Sequence, residues 1–492
     1  MAAADEATIA SGTPGYELMD RAGRAVARAS ATLAGRRYGA RVAIVCGKGN
    51  NGGDGFVAAR LLHLQGVAVT CLLLADESEY KGDAAAHLRA MMRAGVRPDP
   101  FEAGSLGAFD VIVDAIFGTG FRGRIEGPPA KAIEAINSSG SRVLSVDIPS
   151  GVAGDTGAVD GPAVEADVTV AIAAQKLGIV LHPGAGHAGR VEVVDIGIEL
   201  GDVSLHLAEP SDIRAMLPTR SADAHKRSAG SVLVLAGSDG MSGAALLTCR
   251  GAARMGAGYV TLVSTAYVDD AKKSLIPEAV SRIVSDHAEL GPEVVTEFAS
   301  DFTRADAVAL GPGLGTGPRQ RALVEAALGT VEVPVVLDAD ALNVLAEDTA
   351  PLGNRTNATV ITPHPGEMGA LLGLSGGEVQ ADRVGVARRA AADLGCVVVL
   401  KGAGSLVADP GGGVVVNPTG GPELATAGTG DVLTGVIGTL LAEGLDPVSA
   451  ATAGVFVHGL AGSVAGRSTE GCGVVSWDVA EALPAAVGEL FG

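Results

Sequence analysis

Short apolar runs alternate with stretches of helical spacing along most of this chain, and that rhythm restricts its fold more than any other feature. Leu18, Met19, Ala22, Val26, Ala29 and Leu33 recur at helical spacing and predict an opening helix. Residues 41–46 then read as a strand, 47–55 as a loop and 56–65 as a helix. The alternation continues through strands at 67–74, 110–113, 143–146, 168–173 and 191–194, with helices near 83–94 and 128–137. Such an order implies the α/β class, with a parallel sheet covered by helices on both faces. Residues 199–218 lose the rhythm and contain Gly201, Pro210 and Pro218, so a boundary belongs there. A second series follows, with strands at 231–236, 259–263, 307–310, 335–337, 359–361 and 397–400 and a hairpin at 405–416. Two domains are expected, 1–205 and 206–492.

Composition excludes several classes of function. A chain of 492 residues is too long for one ordinary domain. With 47% hydrophobic residues, 3% aromatics and 71 glycines, its layers must pack from Ala, Val and Leu. A formal charge of −20 repels phosphate backbones and argues against nucleic-acid binding, though not against a nucleotide in a local pocket. The five cysteines are scattered without a CxxC and read as thiols of a reducing compartment, so a cytoplasmic location is expected. No signal peptide is evident at the N-terminus. Residues 448–466 carry no formal charge, but their Ala, Gly and Ser content suits a buried core helix, so no membrane partner is expected.

Chemistry concentrates in a few segments. In the second series, Ala425-Thr426-Ala427-Gly428-Thr429-Gly430-Asp431 leads into an apolar helical run. Its glycines can turn backbone N–H groups onto an anion. Asp431 is either an N-cap or a general base beside that anion hole. Upstream, an apolar strand ends in Lys401-Gly402-Ala403-Gly404-Ser405, either a phosphate-binding turn or a plain hairpin with an exposed lysine. In the first series, Gly47-Lys48-Gly49-Asn50-Asn51-Gly52-Gly53-Asp54-Gly55 joins a strand to a helix, where open α/β sheets bind ligands. It is either a ligand loop or a tight turn with Asx caps. Asp114 to Gly120 and Ser145 to Gly151 place carboxylates at the carboxyl ends of two further strands.

Those three segments of the first series resemble the NAD(P)H-hydrate epimerase domain of the YjeF type, over about Tyr16 to Asp195. From about Asp212 onward the chain resembles ADP- or ATP-dependent NAD(P)H-hydrate dehydratases. The segments that carry this are His225-Lys226, Gly311-Pro312-Gly313-Leu314-Gly315, Asp338-Ala339-Asp340-Ala341-Leu342-Asn343, Thr362-Pro363-His364-Pro365-Gly366-Glu367, Lys401 to Ser405 and Gly428 to Asp431. The resemblance implies a Rossmann-like three-layer sandwich followed by a ribokinase-like α/β domain. It implies repair of hydrated nicotinamide cofactors, by epimerising R- and S-NAD(P)HX and by dehydrating the S form at the expense of ADP or ATP. Small-molecule substrates, NADHX or NADPHX and an adenine nucleotide, and a homo-oligomer are implied with it.

Residue roles follow from the same resemblance. Asn50, Asn51, Gly52, Gly53 and Asp54 would contact the hydrated dinucleotide, as would Gly118, Thr119, Gly120, Phe121, Arg122, Gly123 and Arg124. Asn51, Asp114 and Ser150 would ligate a potassium ion, and all three offer hard oxygen donors. Asp147 would reach the substrate as acid or base, or else orient the Ser150 turn. Gly428, Thr429 and Gly430 would form the anion hole, and Lys401, Gly402, Ala403, Gly404 and Ser405 would hold the nucleotide with Mg²⁺. Asp431 would deprotonate the substrate hydroxyl. Ala244 (or its neighbour Ala245), Gly315 and His364 would line the nicotinamide side, His364 alternatively being a packed core residue. The chain departs from the family in one place: Gly420-Gly421-Pro422-Glu423 stands where an asparagine often precedes the anion hole. A competing reading is a ribokinase-like small-molecule kinase fused to a non-catalytic binding domain.

Overall fold

The computed structural model describes residues 2–102, 104–201, 203–221, 225–284, 289–467 and 472–492. It divides into two compact units, Met1–Val203 and Ser204–Gly492. In the first, seven parallel strands are ordered β3-β2-β1-β4-β5-β6-β7. They are β1 Arg41–Cys46, β2 Ala68–Leu73, β3 Pro98–Pro100, β4 Val111–Ala115, β5 Arg142–Val146, β6 Val168–Ile172 and β7 Arg190–Val194. The central strands β1 and β4 have almost wholly buried residues, as a sheet covered on both faces requires. Order reverses between β1 and β4. A crevice at the carboxyl ends of such a strand pair is where open sheets bind ligands.

One sequence expectation changes materially. The helix after β1 begins at Asn50, not at residue 56, and runs Asn50–Leu64. Gly52, Gly53 and Gly55 are therefore helical, Gly49 is the extended N-cap, and none of Gly47, Gly49, Gly52, Gly53 or Gly55 takes a positive φ. Gly47, Gly52, Gly53 and Gly55 are required by close approach instead. A Cβ on Gly52 would lie 1.9 Å from the Gly47 carbonyl oxygen, and one on Gly53 would lie 2.4 Å from Met19 Sδ.

The second unit holds a ten-stranded sheet ordered β11-β10-β9-β12-β13-β14-β15-β16-β17-β8. Its strands are β8 Leu205–Leu207, β9 Ser231–Leu235, β10 Tyr259–Ser264, β11 Val280–Ile283, β12 Ala307–Leu310, β13 Val335–Leu337, β14 Thr359–Ile361, β15 Val397–Leu400, β16 Leu406–Ala408 and β17 Val414–Val416. β9 to β15 run parallel, and β16 and β17 form an antiparallel hairpin beyond β15. The boundary lies ahead of the expected 205/206 cut, which would pass through β8. Leu205–Leu207 belong with the second unit because they pair with β17. Helix Pro447–Gly466 is long and apolar enough to cross a membrane by composition, but 67% of it is buried within this unit. Helices Thr429–Ala442 and Ser242–Met255 touch backbone to backbone: a Cβ on Gly435 would meet the Thr248 carbonyl oxygen at 2.1 Å. That contact fixes the start of helix Thr429–Ala442 over the carboxyl ends of the sheet.

Candidate active sites

In the first unit the strand ends open into a cavity of about 820 Å³. Lys48, Gly49, Asn50, Asn51 and Asp54 border it from the start of helix Asn50–Leu64. Gly118, Thr119, Gly120, Phe121 and Arg122 border it from the loop after β4, and Asp147 from the end of β5. Gly52 and Gly53 are buried behind this wall, and Gly123 and Arg124 do not border the cavity. Arg122 pairs with Asp155 and Arg124 faces Glu126 at 4.0 Å, both arginines largely exposed.

Asp147 sits at φ 69°, a conformation uncommon for a non-glycine residue. The turn aims its carboxylate back at the cavity. Lys176 Nζ donates to Asp147 Oδ1, the Thr119 N–H reaches Oδ2 at 3.3 Å and the Ile172 N–H reaches Oδ1 at 3.3 Å. The Lys176 side chain is 6% exposed and also donates to the Ile172 carbonyl. Sequence reasoning missed Lys176, because only the fold brings it across 29 positions to Asp147.

Asp114 is fully buried. It accepts from Ser150 Oγ at 2.6 Å, Ser150 N at 2.9 Å, Ser145 Oγ at 2.9 Å and Ile116 N at 3.2 Å. Burial raises its carboxyl above the ordinary range, although these bonds favour the charged form. Asn51 Nδ2 donates to the Phe117 carbonyl at 3.0 Å, and Ser150 Oγ lies 3.3 Å from the same oxygen. Asn51, Asp114 and Ser150 are thus gathered around one backbone turn, and hard oxygens dominate the set.

In the second unit, Asp431 lies in the first turn of helix Thr429–Ala442. It is not the N-cap. That position is Gly428 at φ 90°, with no side-chain cap. No hydrogen bond or ion pair engages the Asp431 carboxylate among the described residues. Burial first, and then the charge of Asp338, push it up to about 7, with Lys401 opposing. Lys401 Nζ lies 2.6 Å from Asp338 Oδ1 and 3.7 Å from Glu367 Oε2. Burial alone would lower the Lys401 ammonium, but Asp338 and Glu367 more than offset this and hold it raised. Thr434, one turn beyond Gly430, donates to Asp338 Oδ2 at 2.8 Å. The strand-end lysine and the helix bearing Asp431 are therefore tied through a single buried carboxylate.

The surrounding residues complete this picture. Ala339, at φ 51°, aims Asp338 inward while Asp340 accepts from the Gly315 N–H at 2.9 Å. His364 is exposed and caps helix Pro365–Leu372, its Nδ1 accepting from Gly366 N and Glu367 N, so it is no packed core histidine. Ala245 is fully buried in the core, whereas Ala244 is only partly covered and lies against Gly313, so Ala244 is the one placed to face a ligand. The Lys401 to Ser405 turn has Gly402 at φ 146° and rests on buried Arg383, which donates to the Ala403 carbonyl at 2.6 Å. His458, whose basicity burial lowers to about 4, is neutral and donates through Nε2 to the Thr429 carbonyl at 2.9 Å. Glu423 accepts from Gly421 N and Ser463 Oγ and closes the turn where the family asparagine is absent. Arg383 and Asp338 carried no sequence signal beyond their segments; their partners are long-range.

Comparison with known proteins agrees with this division. Residues 15–178 match the family described as YjeF-related protein N-terminus, and residues 232–485 match the NAD(P)H-hydrate dehydratase family. The bifunctional NAD(P)H-hydrate repair enzyme of Moorella thermoacetica is 39% identical, over 96% of this chain and 92% of its own length. The enzyme of that name from Escherichia coli is 34% identical, over 91% and 85% respectively. The structure of ADP/ATP-dependent NAD(P)H-hydrate dehydratase from Bacillus subtilis, co-crystallised with ATP and Mg²⁺, is 33% identical with a TM-score of 0.51, over 58% of this chain and 98% of that one. A ribokinase-like superfamily protein from Enterococcus faecalis, at 22% identity and a TM-score of 0.52, covers 59% of this chain and 98% of its own, and shares the fold. This chain belongs to the bifunctional NAD(P)H-hydrate repair enzyme family.

Proposed function

We propose that the two units divide the repair of hydrated nicotinamide cofactors between them. The first interconverts the R and S epimers of NAD(P)HX. The second dehydrates the S epimer to NAD(P)H at the expense of ADP, giving AMP and phosphate, or of ATP. The observation that carries the second assignment is Asp431: a carboxylate that no donor engages among the described residues, pushed up to about 7, beside the Gly428–Gly430 turn and the Lys401 ammonium. A base with that value can take a proton at neutral pH and return it.

The residues divide the work as follows. Asp431 removes the proton from the substrate hydroxyl, which then attacks the terminal phosphoryl group of the nucleotide. Backbone N–H groups of Gly428, Thr429 and Gly430 face the charge that develops there. Lys401 to Ser405 hold the nucleotide, with Arg383 supporting that turn from below. Ala244, Gly315 and His364 stand on the nicotinamide side. Magnesium, when bound, neutralises phosphate charge. Asp338, Asp340 and Glu367 are each engaged by protein donors, so the residues present suit an ion carried in on the nucleotide's phosphates more than one caged by protein. In the first unit, Asn50, Asn51 and the 118–122 loop receive the dinucleotide. Asn51, Asp114 and Ser150 would hold potassium, which would fix the loop after β4.

The test uses separated epimers of hydrated NADH. With ADP and Mg²⁺, absorbance of reduced nicotinamide should appear from both epimers. A phosphorylated product that accumulates without any reduced nicotinamide would instead identify a small-molecule kinase.

A further inference from the structure

Asp54 is a buried titratable group of the first cavity that the proposed mechanism leaves without a task. It lies on helix Asn50–Leu64, is 6% exposed and borders the cavity. Among the described residues, nothing donates to its carboxyl or pairs with it. The charged groups around it come from several elements. Asp147 and Lys176 lie beyond the ends of β5 and β6, and Asp5 projects from helix Ala2–Ala10. Lys48 and Asp83 border the same cavity. Asp147, by contrast, is engaged at both oxygens: Oδ1 accepts from Lys176 and the Ile172 N–H, and Oδ2 from the Thr119 N–H.

We propose that Asp54, not Asp147, exchanges a proton with the epimerised hydroxyl, and that Asp147 and Lys176 form the fixed ion pair beside it. This rests on the reading of the first unit as an epimerase. Burial, followed by the charge of Asp147, pushes the Asp54 carboxyl well above the ordinary carboxylate range, with Lys176 opposing. Burial of that kind favours the protonated form, which can act as a general acid.

The chemistry balances. Water adds to the enamine double bond of a dihydronicotinamide at the carbon next to the ring nitrogen, so the hydroxyl sits on that carbon. Asp54 gives its proton to this hydroxyl. The C–O bond breaks, its electron pair leaves with water, and the nitrogen lone pair closes a C=N bond. The carbon is now planar and has lost its configuration. A water adds to the opposite face, the C=N pair returns to nitrogen, and the surplus proton of the added water goes back to the Asp54 carboxylate. Nothing is oxidised or reduced, and the side chain ends as it began.

The experiment uses the full chain without nucleotide, so that dehydration is silent. One purified epimer of hydrated NADH is supplied in ¹⁸O-labelled water, and the other epimer is collected by chromatography. The wild type should place one ¹⁸O in each inverted molecule, above the uncatalysed background. Asp54→Asn keeps the size and removes the proton. It should slow inversion and label uptake together by about 10²–10⁴-fold, while dehydration of the S epimer with ADP is unchanged. Inversion by the wild type should fall as pH rises through the ionisation of Asp54, and that fall should vanish in Asp54→Asn. Inversion within a few-fold of wild type in Asp54→Asn would overturn the assignment. So would inversion by the wild type without label, a result that needs no variant. A wild type that interconverts no epimers removes the epimerase reading itself, which is a different failure.

Discussion

Each unit buries one lysine against one aspartate and leaves near that pair a second carboxylate that nothing pairs with among the described residues. In the first the pair is Lys176–Asp147 and the lone acid is Asp54; in the second the pair is Lys401–Asp338 and the lone acid is Asp431. The arrangement is shared by two different folds, but its depth is not. Asp54 is 6% exposed and is pushed well above the ordinary range, whereas Asp431 is only partly covered and is pushed up to about 7. Depth therefore selects the chemistry. A deeply buried acid holds its proton and can donate it, while one near pH 7 can lose it and serve as a base. The sequence marks both residues only as aspartates next to glycines, and the difference between them arises from what packs around each.

The largest break in this comparison is Asp431→Asn. It preserves shape at the first turn of the helix and removes the base. Dehydration should fall by about 10²–10⁴-fold, with epimer interconversion untouched. Near-normal dehydration would reduce Asp431 to a helix-dipole carboxylate. This variant and Asp54→Asn should silence one reaction each, so a double readout on each protein tests the division of labour directly.

Next come the lysines. Lys176→Met leaves Asp147 buried with only the Thr119 and Ile172 N–H donors, and breaking such a pair costs about 3–5 kcal/mol. Lys401→Met should cost more, because it strands the deeper carboxylate: Asp338 is 2% exposed against 10% for Asp147, and among the described residues only Thr434 still donates to it. Denaturant titrations of the two variants would check this order. Equal losses would mean that the two pairs are equally desolvated, contrary to their exposure.

A finer test uses pH. Asp431 must be ionised to act, so dehydration should rise with pH through about 7. The charge of Asp338 helps to hold that value up, and Lys401 opposes it. Asp338→Asn removes a negative neighbour and frees more of the lysine's field, and both changes favour ionised Asp431. The rising limb of kcat/KM should therefore move to lower pH, whatever happens to the plateau. An unmoved limb with a lower plateau would mean that Asp338 only braces the site. Epimerisation should run in the opposite direction, lost as pH rises, because Asp54 must be protonated.

Much of the architecture was legible in the sequence, and the omissions have physical causes. β12 to β15 were legible because they are short runs, apolar but for Thr359, as buried parallel strands must be. β3, β8 and β11 were not. They lie at or near sheet edges, where one side is solvated; β3 is bounded by prolines, and β11 carries a serine and an arginine. The helix from Asn50 was read as a loop because glycine is a poor helix former, and only the packed structure reveals the close contacts that demand it. The residues bordering the sites were mostly legible, since glycine turns at strand ends announce them. Their electrostatics were not. Lys176 and Asp147 lie 29 positions apart, and Lys401 and Asp338 lie 63 apart.

The smallest expected effect concerns the first strand of the second unit, and it decides whether β8 is structural or incidental. Val414, Val415 and Val416 pair with Leu205, His206 and Leu207. The Val414 N–H donates to the Ser204 carbonyl at 2.8 Å, and the Ala208 N–H donates to the Val416 carbonyl at 3.0 Å. Ala208 is itself part of the buried core. A chain beginning at Ser204 keeps all of this, whereas one beginning at Glu209 loses it and bares the β17 edge. Each net hydrogen bond contributes about 0.5–1.5 kcal/mol, and water recovers part of that at an edge. The shorter chain should therefore be less stable by on the order of 1–3 kcal/mol, which lowers the melting point by about 2–4 °C per kcal/mol for a unit of this size. Both chains should still dehydrate the S epimer, because Asp431, Lys401 and Asp338 lie on other elements. The shorter one should also self-associate more readily through its open edge. Equal melting points and equal sedimentation for the two would show that the pairing of β8 contributes nothing, and that the unit starts after it.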